Sequence, residues 1–202
     1  MYGVSYGAEC IATIHAALDA GVNLLDTGDF YGTGENEALI GDALEGRRRD
    51  DVLVSAKFGA LRDPAGHWLA YDGRPVAVKT FLPYSLRRLR LDHVDIYRPA
   101  RVDPNVPIED TIGAIADMVK AGYVRWIGLS DVDPDTIHRA AAVHPIADVQ
   151  LEYSMLTRTI EDEIASSASA SLPMARIHTA MSAHTGTTII TWATLASLRR
   201  PP

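Results

Sequence analysis

The stretch Val22-Asn23-Leu24-Leu25-Asp26-Thr27-Gly28-Asp29-Phe30-Tyr31-Gly32-Thr33-Gly34-Glu35-Asn36-Glu37 decides how the chain is read. Val22 to Leu25 is a short apolar run of the kind that a parallel sheet buries on both faces. It ends in a carboxylate, Asp26, and five residues later, across a loop carrying Gly28, Gly32 and Gly34, comes the phenol of Tyr31. From Glu35 to Leu44 the pattern turns helical, with Leu39, Ile40, Ala43 and Leu44 on the inward face. Asp26 and Tyr31 therefore both stand where a strand hands over to a helix. In parallel α/β proteins that edge, the carboxyl end of the strands, is where chemistry is done.

Outward from this stretch, helices and strands alternate. The sequence predicts helix 9–20, strand 22–26, helix 35–45, strand 51–57, helix 75–90, strand 94–98, helix 108–121, strand 124–129, helix 133–143 and strand 147–152. Alternation at this spacing means βα units joined by crossovers over a parallel sheet. Local signals agree: Asp133 is placed to N-cap a helix that opens on Pro134, and Gly122 stands just past a helix end at Lys120. Pro83 falls inside a helical pattern and should kink that helix or delay its start. The segment 59–73, directly after Lys57, reads as a long loop whose Trp68 and Tyr71 either wall a substrate pocket or simply cover the end of the sheet.

The strand Asp51-Val52-Leu53-Val54-Ser55-Ala56-Lys57 delivers a lysine to the same edge as Asp26 and Tyr31. With that spacing the chain resembles the aldo-keto reductase family, in which an aspartate at a strand end, a tyrosine five residues on and a lysine ending the next strand form the active site. The resemblance runs from about Gly21 to Ile164, with matching segments at 85–103, 113–130 and 149–154. It implies an α/β fold, an incomplete (β/α)8 TIM barrel, with residues 1–164 as a partial reductase barrel. It also implies NADPH-dependent reduction of a small carbonyl substrate, an aldehyde or ketone, to an alcohol.

The chemistry of the three side chains fits that implication. Reducing a carbonyl takes a hydride to carbon and a proton to oxygen, and a phenol titrating near ~10 is a poor neutral-pH acid unless a cation stabilises its phenolate. Lys57 would supply the cation, and Asp26 would hold Lys57 and compensate its charge. Taken singly, each has an ordinary reading: a turn-forming Asp, a packing Tyr, a solvated Lys. The family's histidine after the fourth strand is replaced by Ala100, leaving Tyr31 alone or assisted by Arg101 or His67. Arg98 and Arg101 can also be surface charges, a reading favoured for Arg98. By resemblance Ser130, Asp131 and Gln150 would hold the nicotinamide carboxamide, although Asp131 replaces an asparagine and its carboxylate can only accept.

Composition bounds the rest. In 202 residues, 47% hydrophobic and 22% charged, there is one domain's worth of core, and the formal net charge of -7 argues against nucleic acid or anionic membrane as a partner. No apolar run of transmembrane length and no targeting segment is seen, so a cytoplasmic location is expected. The single cysteine, Cys10, and scattered histidines give no disulfide framework and no metal-ligand spacing.

After Ile164 the character changes. All 26 Asp and Glu lie at or before Glu163, and 165–202 is an Ala/Ser/Thr-rich tail whose composition is compatible with poor order. No clear strand emerges in it before a weakly apolar run at 187–198, and the family's last two βα units and phosphate-gripping loop are not found. The family's first barrel strand is not seen before Glu9 either. A chain clipped at its N-terminus and divergent or out of frame after Ile164 would account for both. Two other readings follow: a non-catalytic nucleotide-binding or regulatory protein of the same fold, and an inactive truncated remnant.

Overall fold

The computed structural model describes residues 7–152, 176–181 and 188–193. The boundary expected near Ile164 and most of the tail lie outside the described residues. Helix α1 (Gly7–Asp19) leads into strand β1 (Leu24–Gly28), then come α2 (Glu35–Leu44), β2 (Leu53–Phe58) and, across a short two-stranded insertion, α3 (Pro75–Leu89). β5 (Val94–Pro99), α4 (Ile108–Lys120), β6 (Val124–Ser130), α5 (Pro134–Val143) and β7 (Ile146–Glu152) complete the alternation. The insertion is β3 (Ala60–Arg62) with β4 (Trp68–Tyr71). β1, β2, β5, β6 and β7 are neighbours in that order and pair in parallel, which is a half-barrel of βα units. Among the described residues no helix is long and apolar enough to cross a membrane.

Apolar periodicity and burial agree along this core. In α4 the buried positions Ile108, Thr111, Ile112, Ala114 and Ile115 form one helical stripe, and it packs with Val94, Val124, Ile127, Leu129 and Val149 of the sheet. Each fully buried Val, Leu or Ile contributes about 1.5–3 kcal/mol relative to exposure. At the ends of helices the local signals act as read: the Asp133 carboxylate accepts from the Thr136 N–H at 2.8 Å, and Gly122 takes the left-handed backbone (φ +84°) that closes α4.

Three features differ from the sequence expectation. Of the kink or late start expected from Pro83, the late start does not occur, since α3 begins at Pro75 with Pro83 on its exposed side. The 59–73 segment is not an open loop, because β3 and β4 form an antiparallel hairpin closed by Asp63, which accepts from the N–H groups of Ala65 (2.9 Å) and His67 (2.8 Å). Its base is pinned where the Asp72 N–H donates to the Gly59 carbonyl at 2.8 Å. Third, within the tail, β8 (Arg176–Met181) and β9 (Thr188–Ala193) pair with each other antiparallel, and β9 pairs antiparallel with β7. The β-branched Ile177, Thr179 and Thr188-Ile189-Ile190-Thr191 suit strands. What composition does not reveal is the partner that the open edge of β7 provides.

α2 packs closely on α3 at Gly41, where a Cβ would lie 2.7 Å from the Arg88 carbonyl oxygen and 3.0 Å from that of Leu89. Gly41→Ala should gain about 1 kcal/mol of helix propensity, yet overpacking against rigid backbone costs ~1–3 kcal/mol. The variant is expected to melt at a lower temperature than the parent in a calorimetric scan. An equal or higher melting temperature would show that α2 and α3 are not in this contact.

Candidate active site

Register places the site. Asp26 lies opposite Ser55, Gly28 opposite Lys57, Lys57 opposite Arg98, and Ser130 opposite Gln150. Because side chains alternate between faces, Val54, Ala56, Phe58 and Tyr97 join the core under the helices, while Asp26, Ser55, Lys57, Arg98, Asp148 and Gln150 meet on the other face.

The Lys57 side chain is buried (6% exposed) and its Nζ donates to Asp26 Oδ2 and, at 3.3 Å, to the Tyr31 hydroxyl. Nζ also sits 5.2 Å from the centre of the Tyr31 ring. Tyr31 opens a short 3-10 turn in which Gly32, Thr33 and Gly34 all have positive φ, so two of the three positions that need a left-handed backbone are glycine. The Thr27 hydroxyl, donating to Asn36 Oδ1 at 2.7 Å, ties the end of β1 to the start of α2 and so brackets this turn.

Asp26 accepts hydrogen bonds from three side chains, Lys57, the Ser55 hydroxyl at 2.8 Å and Gln150 Nε2 at 3.3 Å, and is ion-paired with Arg98 Nη2 at 3.9 Å. Burial pushes its carboxyl up, but Lys57, Arg98 and the hydrogen bond from Ser55 outweigh this and hold it below the usual carboxylate value. Asp148 goes the other way. Burial, with the nearby Asp26 charge, raises its carboxyl to about 6 despite Arg98.

Arg98 is a correction. Read as a surface charge, it is fully buried, and its guanidinium donates to Asp148 and, at 2.7 Å, to the Ser55 hydroxyl. A strand residue next to Pro99 gives no local sign that a charged partner waits two strands away at Asp148. Asp131 is also differently engaged: it has φ +49°, and its carboxylate is paired with Arg101 at 2.5 Å. His67, considered as an assistant to Tyr31, is exposed in the β3–β4 turn and bonded to Asp63 at 3.0 Å. Ala100 is buried at the end of β5, where its N–H donates to the Phe58 carbonyl at 2.8 Å. Trp68 is 54% exposed and packs on Tyr71 at 5.3 Å between ring centres, so these aromatics stand on the hairpin and not in the core.

A comparison with known proteins decides what this arrangement is part of. The profile of the Aldo/keto reductase family matches residues 5–197. The chain belongs to the aldo/keto reductase family. A protein of Glycine max, "Probable aldo-keto reductase 1", is 41% identical over 154 residues, which is 76% of this chain and 44% of that protein. Among solved structures, a glycerol dehydrogenase from Gluconobacter oxydans superimposes with TM-score 0.75 at 30% identity, covering 84% of this chain and 53% of the other. An aldo-keto reductase from Klebsiella pneumoniae in complex with NADPH gives TM-score 0.71 at 26% identity, over 82% of this chain and 56% of the other. The chain thus spans about half the length of the relatives it matches.

For a nicotinamide group, the donor set at the ends of β6 and β7 is suitable. Ser130 (3% exposed) offers a hydroxyl, and its register partner Gln150 offers an amide with both donor and acceptor, whose Nε2 also reaches Asp26 at 3.3 Å within Lys57's network. Asp131, already committed to Arg101, is less suited to an amide.

Beside the site, Asp29 is half-buried, and burial plus the Glu37 charge raise its carboxyl to about 7. The folded protein then holds a proton that the unfolded chain gives up from about pH 4 upward. The stability from that proton is full below ~4 and is lost as pH rises through about 7. Asp29→Asn, which can still accept from the Gly59 N–H, should therefore gain stability relative to the parent between about pH 5 and 7.5 in denaturant titrations. A parent-to-variant difference that is constant across this range would contradict the raised value.

Proposed function

We propose that the chain performs, or contributes the acid half of, NADPH-dependent reduction of an aldehyde or ketone to an alcohol. The observation that carries this reading is the contact of one buried ammonium, Lys57 Nζ, with both the Asp26 carboxylate and the Tyr31 hydroxyl. NADPH would supply the hydride to the carbonyl carbon. Tyr31 would donate the proton to the carbonyl oxygen, and Lys57 would stabilise the phenolate that remains. Asp26 would fix Lys57 and balance its charge, so that the ammonium can be kept out of water. Ser130 and Gln150 would orient the carboxamide and thereby the face of the ring presented to substrate. The NADPH complex of the Klebsiella pneumoniae relative supports this choice of cofactor.

Ala100 favours a second reading, a nucleotide-binding protein of this fold that does not turn over. A methyl group offers no donor to the carbonyl oxygen, and one positioned donor is worth about 10²-fold or more in rate.

Tyr31→Phe separates the two. In the first reading the variant binds NADPH, followed by fluorescence, with an affinity near the parent's while aldehyde reduction falls by at least ~10²-fold. A Phe variant that reduces aldehyde at the parent rate would remove Tyr31 from the proposed role, and a parent that binds NADPH without turnover would favour the second reading.

A further inference from the structure

We propose that Arg98, held by Asp148, is a positioning residue: through Ser55 it orients Asp26, and through Asp26 the Lys57 ammonium. The inference rests on the reductase reading for its reaction but on geometry for its connections. Arg98 Nη1 donates to Asp148, Arg98 Nη2 donates to Ser55 Oγ at 2.7 Å, and Ser55 Oγ lies 2.8 Å from Asp26 Oδ1. A guanidinium has no acceptor, so Ser55 must accept from Arg98, and its own hydrogen is thereby directed to Asp26. The polarity of the whole row is fixed. Asp26 then receives Ser55 on one oxygen and Lys57 on the other, and Lys57 reaches Tyr31.

The fold makes room for this guanidinium. β6 carries Gly128 beside it, and a Cβ there would lie 3.3 Å from both Arg98 Cζ and Nε. Stability alone is a weak reason for such a pair, since buried ion pairs can be exchanged for apolar residues at little or no cost. This one is also unsaturated: among the described residues Arg98 Nε and Asp148 Oδ2 have no hydrogen-bond partner. What the pair does accomplish is a fixed direction for Ser55 and a second cation beside Asp26, at 3.9 Å. The groups facing Asp26 are then Ser55 and Lys57 from β2, Arg98 from β5, and Gln150, with Asp148 behind Arg98, from β7.

The test replaces the pair by apolar residues of similar size, Arg98→Met with Asp148→Leu, and separately removes the link with Ser55→Ala. Three readouts are taken: thermal stability, kcat and KM for an aldehyde with NADPH, and the titration of the Asp26 carboxyl by 13C NMR, assigned with Asp26→Asn. The expected result is a double variant that melts at or above the parent, keeps KM, loses about 10- to 100-fold in kcat, and shows Asp26 titrating at higher pH. Arg98→Lys, with Asp148 kept, should recover part of kcat. Parent kcat together with an unmoved Asp26 titration would overturn the proposal. If the parent shows no turnover, the reductase reading falls and the NMR titration alone decides: a shifted Asp26 supports the positioning role and an unshifted one refutes it. If the double variant does not fold, Ser55→Ala, which removes one hydroxyl, carries the same two outcomes.

Discussion

A lysine ammonium kept out of water on the concave face of a parallel sheet is the constraint on which the rest of this structure depends. Isolated, a charge in that position costs several kcal/mol, so it persists only with a compensating partner. The partner is Asp26, one strand away, and the parallel register that sets Asp26 against Ser55 and Gly28 against Lys57 is what brings them together. A shift of one residue in that register would send Lys57 under the helices and leave both charges unpaired. Extending outward, Asp26 and Asp148 face Lys57 and Arg98, two carboxylates against two cations, and the four come from four different strands. Charge balance and sheet topology are one requirement here.

Much of this was legible in the residues. Short apolar stretches between helical patterns located all five parallel strands, because the face packed under the helices is apolar in each even where the opposite face carries Lys57, Arg98 or Asp148. The spacing of Asp26, Tyr31 and Lys57 was readable because each stands at a strand end or within one loop of it, where local pattern and chemistry coincide. Arg98 was not readable. Its burial depends on Asp148, fifty positions away in the chain, and on the space left by Gly128, and neither relation leaves a local trace. The same holds for Asp131, whose pairing with Arg101 joins two loops that only the fold makes neighbours.

The β3–β4 hairpin is an intermediate case. Asp63-Pro64-Ala65-Gly66 between Leu61 and Trp68 is a turn signal flanked by apolar residues, and the Asp63 carboxylate does cap that turn. Weighing turn chemistry above the length of the gap would have found it. The tail was harder: β-branched residues in β8 and β9 suit strands, but the pairing of β9 with the edge of β7 joins segments far apart in the chain and leaves no local trace.

In the proposed reaction a proton donor held by Lys57 and a hydride donor held near Ser130 and Gln150 would act on one carbonyl. Its most direct test is isotope transfer: the purified chain is supplied with an aldehyde and with NADPH carrying deuterium on one face of the reactive carbon, and then with its opposite-face isomer. Deuterium is expected at the alcohol carbon from one isomer and not the other, since a held carboxamide presents a single face. Alcohol labelled equally from both isomers, or no labelled alcohol from either at cofactor concentrations that saturate binding, would contradict it.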